Sequence, residues 1–394
     1  MITTVRSTVV PADTFAIKTL PRLRRPSSVC FSQGFRFDLD RKMDLIGKFG
    51  EGCFFMVRPT KDSLSQGEVL FDPASVEAKV PPQHLVIMVN GIIGSSADWK
   101  YASEQFVKML PDKVIVHRSE CNYSKLTLDG VDLMGERLAK EVLFVVEHWP
   151  DVKKISFVAH SLGGLVARYA IGRLYEHQPC YSNDNEGRIA GLEPINFITF
   201  ATPHLGSRGH KQLPFLCGLP FLERRAPQTA HLIAGRSGKH LFLTDNDGTP
   251  PLLLRMVSDS HDLKFISALR AFKRRVAYAN VNYDYVVGWR TSSIRRQHEL
   301  PQPNLLMKDK KYPHVMYVEQ GNLKHINTKI ETHAIDLEEE MIRGLNEVPW
   351  ERVDISFHES SQRYVAHTTI QVKSYWLNSD GADVVLHMID NFML

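Results

Sequence analysis

The chain has 394 residues, of which 43% are hydrophobic and 23% are charged, and this composition is typical of a globular protein rather than a disordered or fibrous one. Its formal net charge of +4 is small for this length, and the 48 basic residues are dispersed along the chain, which argues against nucleic-acid binding. The five cysteines are far apart and never in C-x-x-C spacing, so we expect neither a disulfide framework nor a metal site, and a reducing compartment is the simplest interpretation.

The N-terminal residues 1–36 differ in composition from the rest. Met1–Gly34 carries Arg and Lys side chains against the single acid Asp13, with many Ser and Thr, which suits an organellar transit segment. An ordinary disordered tail is the alternative, and the absence of an apolar h-region argues against secretion. We expect residues 37–394 to form a single domain that is soluble or peripheral to a membrane, because no apolar run approaches the roughly 20 residues that span a bilayer.

The folded part is predicted to begin with short strands at Cys53–Val57 and Glu68–Phe71, which could form an antiparallel edge of a sheet. His84–Val89 is the first buried strand, and the N-G-I-I-G turn at Asn90–Gly94 follows it directly. A glycine turn after a central strand is a place where backbone amides converge on a ligand. We therefore single out the amide of Ile92, one residue past the turn.

Helices and strands then alternate. The pattern predicts a helix at Ala97–Met109, a strand at Val114–His117, a helix at Gly130–His148 and a strand at Ile155–Ala159. This alternation predicts an α/β fold with a doubly wound, mostly parallel sheet that is covered by helices on both faces.

The sequence A-H-S-L-G-G places Ser161 between that last strand and a helix that begins at Leu162. A serine on such a turn projects its hydroxyl above the sheet edge, where the first amides of the helix point at whatever it attacks. Ala159 stands where the usual G-x-S-x-G signature has its first glycine. A serine that only caps the helix is the alternative. The Leu162 amide and the Ile92 amide would together form an oxyanion hole.

The next strand, predicted at Ile195–Phe200, ends in A-T-P-H-L-G-S, where we interpret His204 as ordering the loop rather than as catalytic. Residues Leu205–His261 interrupt the alternation with a proline-punctuated apolar stretch at Leu213–Leu222. We interpret this insertion, about 205–261, as a lid over an apolar substrate. A packed helical excursion is the alternative.

The C-terminal part completes the sheet. The sequence predicts a helix at Phe265–Lys273, a strand at Arg275–Val281, a loop at Gln297–Lys311, a helix at Ile335–Leu345, a last strand at Trp350–Phe357, a loop at Gln362–His367 and a terminal helix at Asp383–Phe392.

A serine hydroxyl needs a base to remove its proton, and the base needs an anion to fix its tautomer. Ser161, Asp284 and His367 occur in the order nucleophile, acid, base, and each follows a predicted strand. Because parallel strands end at one sheet edge, we expect these three side chains to meet there. His160 is treated as structural, since the alternation of the strand points it away from Ser161.

Several other residues remain as alternatives. His387, on the terminal helix, is the chief rival base, and His358 and His333 are weaker ones. Asp245 and Asp262 are rivals for the acid, although both belong to the insertion.

The chain resembles the lipase-like serine esterase family of eukaryotic α/β-hydrolases, which includes plant and fungal members. The resemblance covers about Gln83–Phe392 and is carried by H-L-V-I-M-V-N-G-I-I-G, V-A-H-S-L-G-G-L-V-A-R-Y-A-I, F-A-T-P-H-L-G-S, G-R-S-G-K-H-L-F-L-T-D, Y-A-N-V-N-Y-D-Y-V-V-G-W-R-T-S-S and Y-V-A-H-T-T-I-Q-V-K. It implies the α/β-hydrolase fold and an ester hydrolase with Ser161 as nucleophile, Asp284 as acid and His367 as base. The chain departs from many hydrolases in having Asn90-Gly91 where they have His-Gly.

We therefore expect a serine carboxylester hydrolase that acts on a lipid or another apolar ester through an acyl-enzyme intermediate, without a cofactor. An acyltransferase with the same triad and a non-catalytic lipid-binding protein are the alternatives. We expect an intracellular protein that makes at most a peripheral membrane contact. The plant-like segments favour a chloroplast destination for residues 1–36 if they are a transit peptide, and the cytoplasm otherwise.

Overall fold

A computed structural model of the chain describes residues 69–70, 81–177, 187–207, 234–246, 248–321 and 336–394. The predicted N-terminal segment, the strand at Cys53–Val57, the apolar stretch at Leu213–Leu222 and His333 lie outside these residues.

An eight-stranded sheet organises the fold. The strands of the described residues are β1 (Val69–Leu70), β2 (His84–Val89), β3 (Val114–Arg118), β4 (Lys154–His160), β5 (Tyr175–Glu176), β6 (Arg188–Ile189), β7 (Glu193–Phe200), β8 (Arg274–Asn280), β9 (Val315–Glu319) and β10 (Glu351–Ile355). The sheet order is β1-β3-β2-β4-β7-β8-β10-β9, and β5 and β6 form a separate ribbon. Its six central strands are parallel, whereas β1 and β9 pair antiparallel at the two edges.

Helices cover both faces of this sheet. The helices of the described residues are α1 (Lys100–Met109), α2 (Val131–His148), α3 (Leu162–Leu174), α4 (residues 234–241), α5 (Leu252–Arg255), α6 (Phe265–Ala271), α7 (Trp289–Ser293), α8 (Leu337–Leu345), α9 (Ala366–Thr369), α10 (Tyr375–Asn378) and α11 (Ala382–Asp390). Along β2, Leu85 and Ile87 belong to the apolar cluster of α2 and α3, and Val86 and Met88 belong to that of α1 and α11. Because side chains alternate in direction along each strand, the sheet packs against one apolar core on each face. The predicted α/β-hydrolase architecture is confirmed.

The chain order places a switch point between β2 and β4. From β2 the chain crosses to β3 on one side of the sheet, and it then continues with β4, β7, β8 and β10 on the other. In open parallel sheets, ligands bind at such a point, outside the carboxyl ends of the strands. The Asn90–Gly94 turn and Ser161 lie at the carboxyl ends of β2 and β4.

The C-terminal part differs from the prediction at two elements. The loop predicted at Gln362–His367 is a 3₁₀ turn, Ser361–Val365, followed by α9, which carries His367. Edge strand β9 was not predicted, although its V-M-Y-V-E sequence alternates. Both elements are short, and β9 is mostly half-buried, so the apolar pattern of each is weak.

Candidate active site

Ser161 occupies a strained turn between β4 and α3. Its φ of 53° and ψ of −129° lie in a region that residues with a Cβ rarely adopt. The Ser161 amide donates to the Phe200 carbonyl at 2.8 Å, and the Ser161 side chain makes no capping hydrogen bond to α3. The Ser161 hydroxyl therefore does not cap α3. This agrees with the prediction of an exposed serine between strand and helix and not with the helix-cap alternative.

Glycines after Ser161 let α3 begin directly against the sheet. A Cβ on Gly163 would lie 2.6 Å from the Val89 carbonyl oxygen, and a Cβ on Gly164 would overlap the Thr202 side chain. A larger residue would push α3 away from the end of β2 at position 163 and away from Thr202 at position 164. Ala159 is fully buried in the apolar cluster on the α3 side, so its methyl group packs there without displacing the turn.

His367 connects Ser161 to Asp284. The His367 Nε2 lies 3.0 Å from the Ser161 Oγ, and the His367 Nδ1 lies 3.0 Å from the Asp284 Oδ2. The other carboxylate oxygen, Oδ1, accepts the amides of Val286 and Val287 at 3.0 and 2.8 Å. The structure thus brings the three predicted residues into one hydrogen-bonded chain at the carboxyl edge of the sheet.

The Asp284 carboxylate is stabilised in its charged form. Its side chain is 1% exposed, and burial alone would raise its pKa. The adjacent His367, the Val287 amide and the Asn280 side chain outweigh burial, so that the pKa of Asp284 is lowered below its ordinary value. The carboxylate therefore remains an acceptor near neutral pH, which fixes the proton of the neutral imidazole on Nδ1 and leaves Nε2 as the acceptor facing Ser161.

The Asn90–Gly94 turn lies against the nucleophile. A Cβ on Gly91 would be 2.9 Å from the Ser161 Cβ, so only glycine fits there without displacement. The buried Asn90 amide group donates to the Gly91 carbonyl at 3.1 Å and to the Asn122 carbonyl at 3.0 Å. Asn90, which stands where many hydrolases have histidine, thus holds the turn from inside.

Two backbone amides remain as donors beside this turn. The Ile93 amide donates to the Thr127 hydroxyl at 2.8 Å, whereas the amides of Ile92 and Leu162 make no hydrogen bond to another described residue. These are the two amides that the sequence analysis singled out. Their unpaired state is compatible with an oxyanion hole.

The model of the family described as "Putative serine esterase (DUF676)" matches residues 79–294, which is more than half of the chain. The chain belongs to this family. It is 32% identical over 228 residues to "Putative lipase ROG1" of Saccharomyces cerevisiae, a match that covers 56% of this chain and 30% of that protein. It is 31% identical over 222 residues to "Putative lipase C4A8.10" of Schizosaccharomyces pombe, with 54% of this chain and 26% of that protein covered. The chain thus matches less than a third of the length of these relatives.

Solved esterases and lipases are more distantly similar to this serine esterase family member. A Bacillus licheniformis lipase, BlEst2 in mature form, is 17% identical with a TM-score of 0.31, and the match covers 53% of this chain and 69% of that one. The Pyrococcus furiosus esterase PF2001 is 14% identical with a TM-score of 0.32, and the match covers 53% of this chain and 65% of that one. The strand order described above, rather than these superpositions, defines the fold of the family member.

The rival histidines of this esterase family member lie in other surroundings. The His387 Nδ1 is 2.9 Å from the Tyr278 hydroxyl, and its ring is buried on α11. His204 is fully buried, with its Nε2 3.0 Å from the Thr199 hydroxyl. None of the hydrogen bonds of the described residues links either ring, or His358, to the Ser161 hydroxyl.

The rival acids are also engaged elsewhere. The Asp245 carboxylate accepts the Leu252 amide at 2.8 Å, and Asp262 lies on the surface beside His261 at 2.9 Å. Neither carboxylate is hydrogen-bonded to His367. Within the described residues, Asp284 alone fills that position.

Two further residues at strand ends contact the triad, His160 at the base and Asn280 at the acid, and neither was predicted to belong to the site. The His160 Nε2 lies 2.7 Å from the His367 carbonyl oxygen, with the ring centroids 4.7 Å apart. We expected His160 to be structural because strand alternation points it away from Ser161. Alternation within β4 does not show that α9 places the His367 carbonyl beside the His160 ring. Asn280 at the end of β8 donates to the Asp284 Oδ2 at 2.9 Å. The sequence does offer a signal for Asn280. It is a carboxamide at the carboxyl end of a parallel strand, four residues before the predicted acid.

No group of three or more His, Cys, Asp and Glu residues suited to a metal ion occurs in the described part of the chain. Every helix in that part is too short or too polar to cross a bilayer.

Proposed function

We propose that the chain is a serine carboxylester hydrolase that cleaves an acyl ester through a Ser161, Asp284 and His367 triad. The observation that carries the proposal is the pair of 3.0 Å contacts of His367, one to the hydroxyl of a serine on a strained turn and one to a buried carboxylate. A hydroxyl, an imidazole and a carboxylate in this order are the groups that nucleophilic acyl transfer requires.

The acylation step moves one proton and exchanges one bond. The Ser161 Oγ attacks the ester carbonyl carbon while the His367 Nε2 takes the hydroxyl proton, and Asp284 stabilises the imidazolium. The carbonyl oxygen becomes an oxyanion that accepts the amides of Ile92 and Leu162, where each donor contributes about 3 to 4 kcal/mol in comparable enzymes. The tetrahedral intermediate collapses, its alkoxide leaves with the proton from His367, and an acyl ester remains on Ser161.

Deacylation repeats these steps with water. His367 takes a proton from water as the oxygen attacks the acyl carbonyl, and it returns the proton to the Ser161 Oγ when the acid product leaves. An alcohol in place of water would yield a new ester, so an acyltransferase would use the same groups.

A lipid is the substrate class that we propose, with a peripheral contact to the lipid surface. Similarity to proteins named as lipases supports this, and so does a group of apolar side chains near the base. Trp376 is 83% exposed on α10, and Tyr364, Tyr375 and Leu377 are also exposed. Tryptophan and tyrosine favour the boundary between water and lipid. We name these four residues the aromatic surface.

A fluorophosphonate probe tests the catalytic proposal. We expect the probe to label the wild-type protein covalently and to leave Ser161→Ala unlabelled, because only an activated serine reacts at an appreciable rate. Both proteins should have the same circular dichroism spectrum and melting temperature within error. A folded wild-type protein that is never labelled would contradict the proposal and favour a lipid-binding protein without catalysis.

Product analysis then separates hydrolysis from transfer. When the protein is incubated in water with an acyl ester, we expect free fatty acid as the main product, even when a competing alcohol is present. Accumulation of the new ester instead would contradict hydrolysis and identify an acyltransferase.

A further inference from the structure

The backbone of the base is held from two different strand ends. His160, the last residue of β4, has its Nε2 2.7 Å from the His367 carbonyl oxygen. Asn280, the last residue of β8, has its Nδ2 3.3 Å from the Ala366 carbonyl oxygen and 2.9 Å from the Asp284 Oδ2. Two consecutive carbonyls of α9 are therefore fixed by two buried side chains that belong to the sheet.

The direction of the His160 hydrogen bond follows from its partner. A carbonyl oxygen can only accept, so the His160 Nε2 must carry the proton. Burial, together with the nearby His367, holds the pKa of the His160 ring well below its usual value, so the ring is neutral and its Nδ1 is unprotonated. That Nδ1 faces the Asn90–Gly94 turn, since a Cβ on Gly91 would lie 3.3 Å from it. His160 thus lies between this turn and the base.

The base itself stands on a short element. α9 has four residues, follows a 3₁₀ turn and leads into Val372, whose φ is 57°. An isolated helix of this length has no stability of its own, so its position depends on what it contacts. A displacement of about 1 Å in a catalytic group can lower a rate by roughly 100-fold, because proton transfer needs hydrogen-bond distance.

We propose that His160 and Asn280 are positioning residues that fix the backbone of His367, and hence the distance between the His367 Nε2 and the Ser161 Oγ. The inference rests on the proposed function, since it assigns these residues to the geometry of the same base. They do not touch the reacting atoms. His160 acts through the His367 carbonyl, and Asn280 acts through the Ala366 carbonyl and the Asp284 carboxylate.

Matched substitutions separate positioning from simple stability. His160→Phe keeps a buried ring but removes the donor, and His160→Gln keeps a donor near the place of Nε2. His387→Phe is the control. His387 is also a buried histidine whose side chain makes one hydrogen bond, to Tyr278, but it lies on α11, which carries no triad residue. Asn280→Ala removes the second anchor.

The readouts are kcat, KM, the rate of fluorophosphonate labelling and the melting temperature. For His160→Phe we expect kcat and the labelling rate to fall by about tenfold or more, with KM unchanged within about twofold, since substrate contacts remain. His160→Gln should recover most of the loss. His387→Phe should keep kcat within about twofold even where its melting temperature falls as far as that of His160→Phe.

Two measurements keep the inference falsifiable if His160→Phe does not fold. Asn280→Ala should also lower kcat and the labelling rate, and the low-field proton resonance of the His367 Nδ1–H should broaden or shift in Asn280→Ala and not in His387→Phe. Wild-type kcat and labelling in folded His160→Phe or Asn280→Ala would overturn the inference while leaving the triad intact. A wild-type protein without labelling would instead overturn the proposed function.

Discussion

Asp284 keeps its charge inside the protein because every donor around it faces a carboxylate oxygen. The amides of Val286 and Val287 point at one oxygen, and Asn280 and His367 share the other. These hydrogen bonds replace the water that would otherwise stabilise the charge. The carboxylate therefore orients the imidazole more firmly than a surface acid could. The imidazole ring of His367 is oriented by this arrangement.

At the residue scale, the two candidate bases can be separated by substitution. His367→Ala should lower kcat by roughly 1,000-fold or more, because among the described residues only His367 is hydrogen-bonded to the Ser161 Oγ and can take its proton. His387→Ala should lower the free energy of unfolding by about 1 to 3 kcal/mol, since the buried Tyr278 hydroxyl loses its partner, with kcat unchanged. Steady-state kinetics and urea unfolding measure the two effects.

This assignment would be reversed by the opposite pattern. A well-folded His387→Ala protein without activity would make His387 the base, and a fully active His367→Ala protein would exclude His367.

At the element scale, α10 is attached to the element that carries the base. The buried Asn378 side chain donates to the Thr368 and Thr369 hydroxyls at 3.1 and 3.0 Å. Tyr375 stacks on Tyr101, with the ring centroids 5.0 Å apart, which leaves Trp376 pointing into solvent. The aromatic surface is therefore connected to α9 through Asn378 and to α1 through Tyr375.

Vesicle binding tests the aromatic surface apart from catalysis. In an inactive Ser161→Ala background, Trp376→Ser should weaken sedimentation with phospholipid vesicles by about tenfold or more, because the largest exposed apolar side chain is lost. Phe144→Ser is the matched control, since Phe144 is 54% exposed on α2. Equal binding of both variants and the parent would contradict a lipid contact at this surface.

The sequence predicted most long elements but not the short ones. Buried apolar runs such as that of β2 and the strong periodicity of α2 identified their elements to within a few residues. Element α9 is too short to show a helical period, and the half-buried edge strand β9 has little apolar contrast. Local pattern is informative only where an element is long or fully buried.

The same limit applies to the site. Ser161, Asp284 and His367 could be placed by chain order and strand ends, because parallel strands bring those ends together. The contacts of His160 and Asn280 to α9 end on backbone carbonyls, which every residue has. No residue type in α9 therefore indicates these two contacts, and only the three-dimensional structure shows them.

At the scale of the whole molecule, Ser156 joins distant parts of the chain. Its Oγ accepts the Asn196 amide and the Asn196 Nδ2 at 3.0 and 2.9 Å, so its own proton must go to the His84 Nε2 at 2.7 Å. The Asn196 Nδ2 also donates to the Met393 carbonyl at 2.8 Å. The Ser156 hydroxyl thus connects β2, β4 and β7, and Asn196 extends the network to Met393.

This network predicts a loss of stability in acid. Burial, with the charge of Lys154, lowers the pKa of His84 to about 4. The unfolded chain, with a histidine pKa of about 6.5, therefore binds the proton first, so this stabilisation is complete above about pH 6.5 and is lost as the pH falls toward 4. The His84 contribution should fall by about 2 kcal/mol between pH 7 and pH 5.

Urea unfolding at the two pH values measures this contribution. His84→Gln, which cannot titrate, should show a pH-dependent loss that is smaller by about 2 kcal/mol than that of the wild type. Equal losses in the two proteins would show that the His84 proton does not contribute.

The backbone of Ser161 holds conformational strain that a different residue at this position would release. A non-glycine residue held at φ 53° and ψ −129° costs on the order of 1 to 3 kcal/mol, whereas glycine adopts positive φ freely. Glycine at position 161 should therefore stabilise the fold, and the proposed role of the hydroxyl explains why a serine stands there. For the same reason, Ser161→Gly is a better choice than Ser161→Ala for trapping an intact ester, because it removes the nucleophile and relaxes the turn.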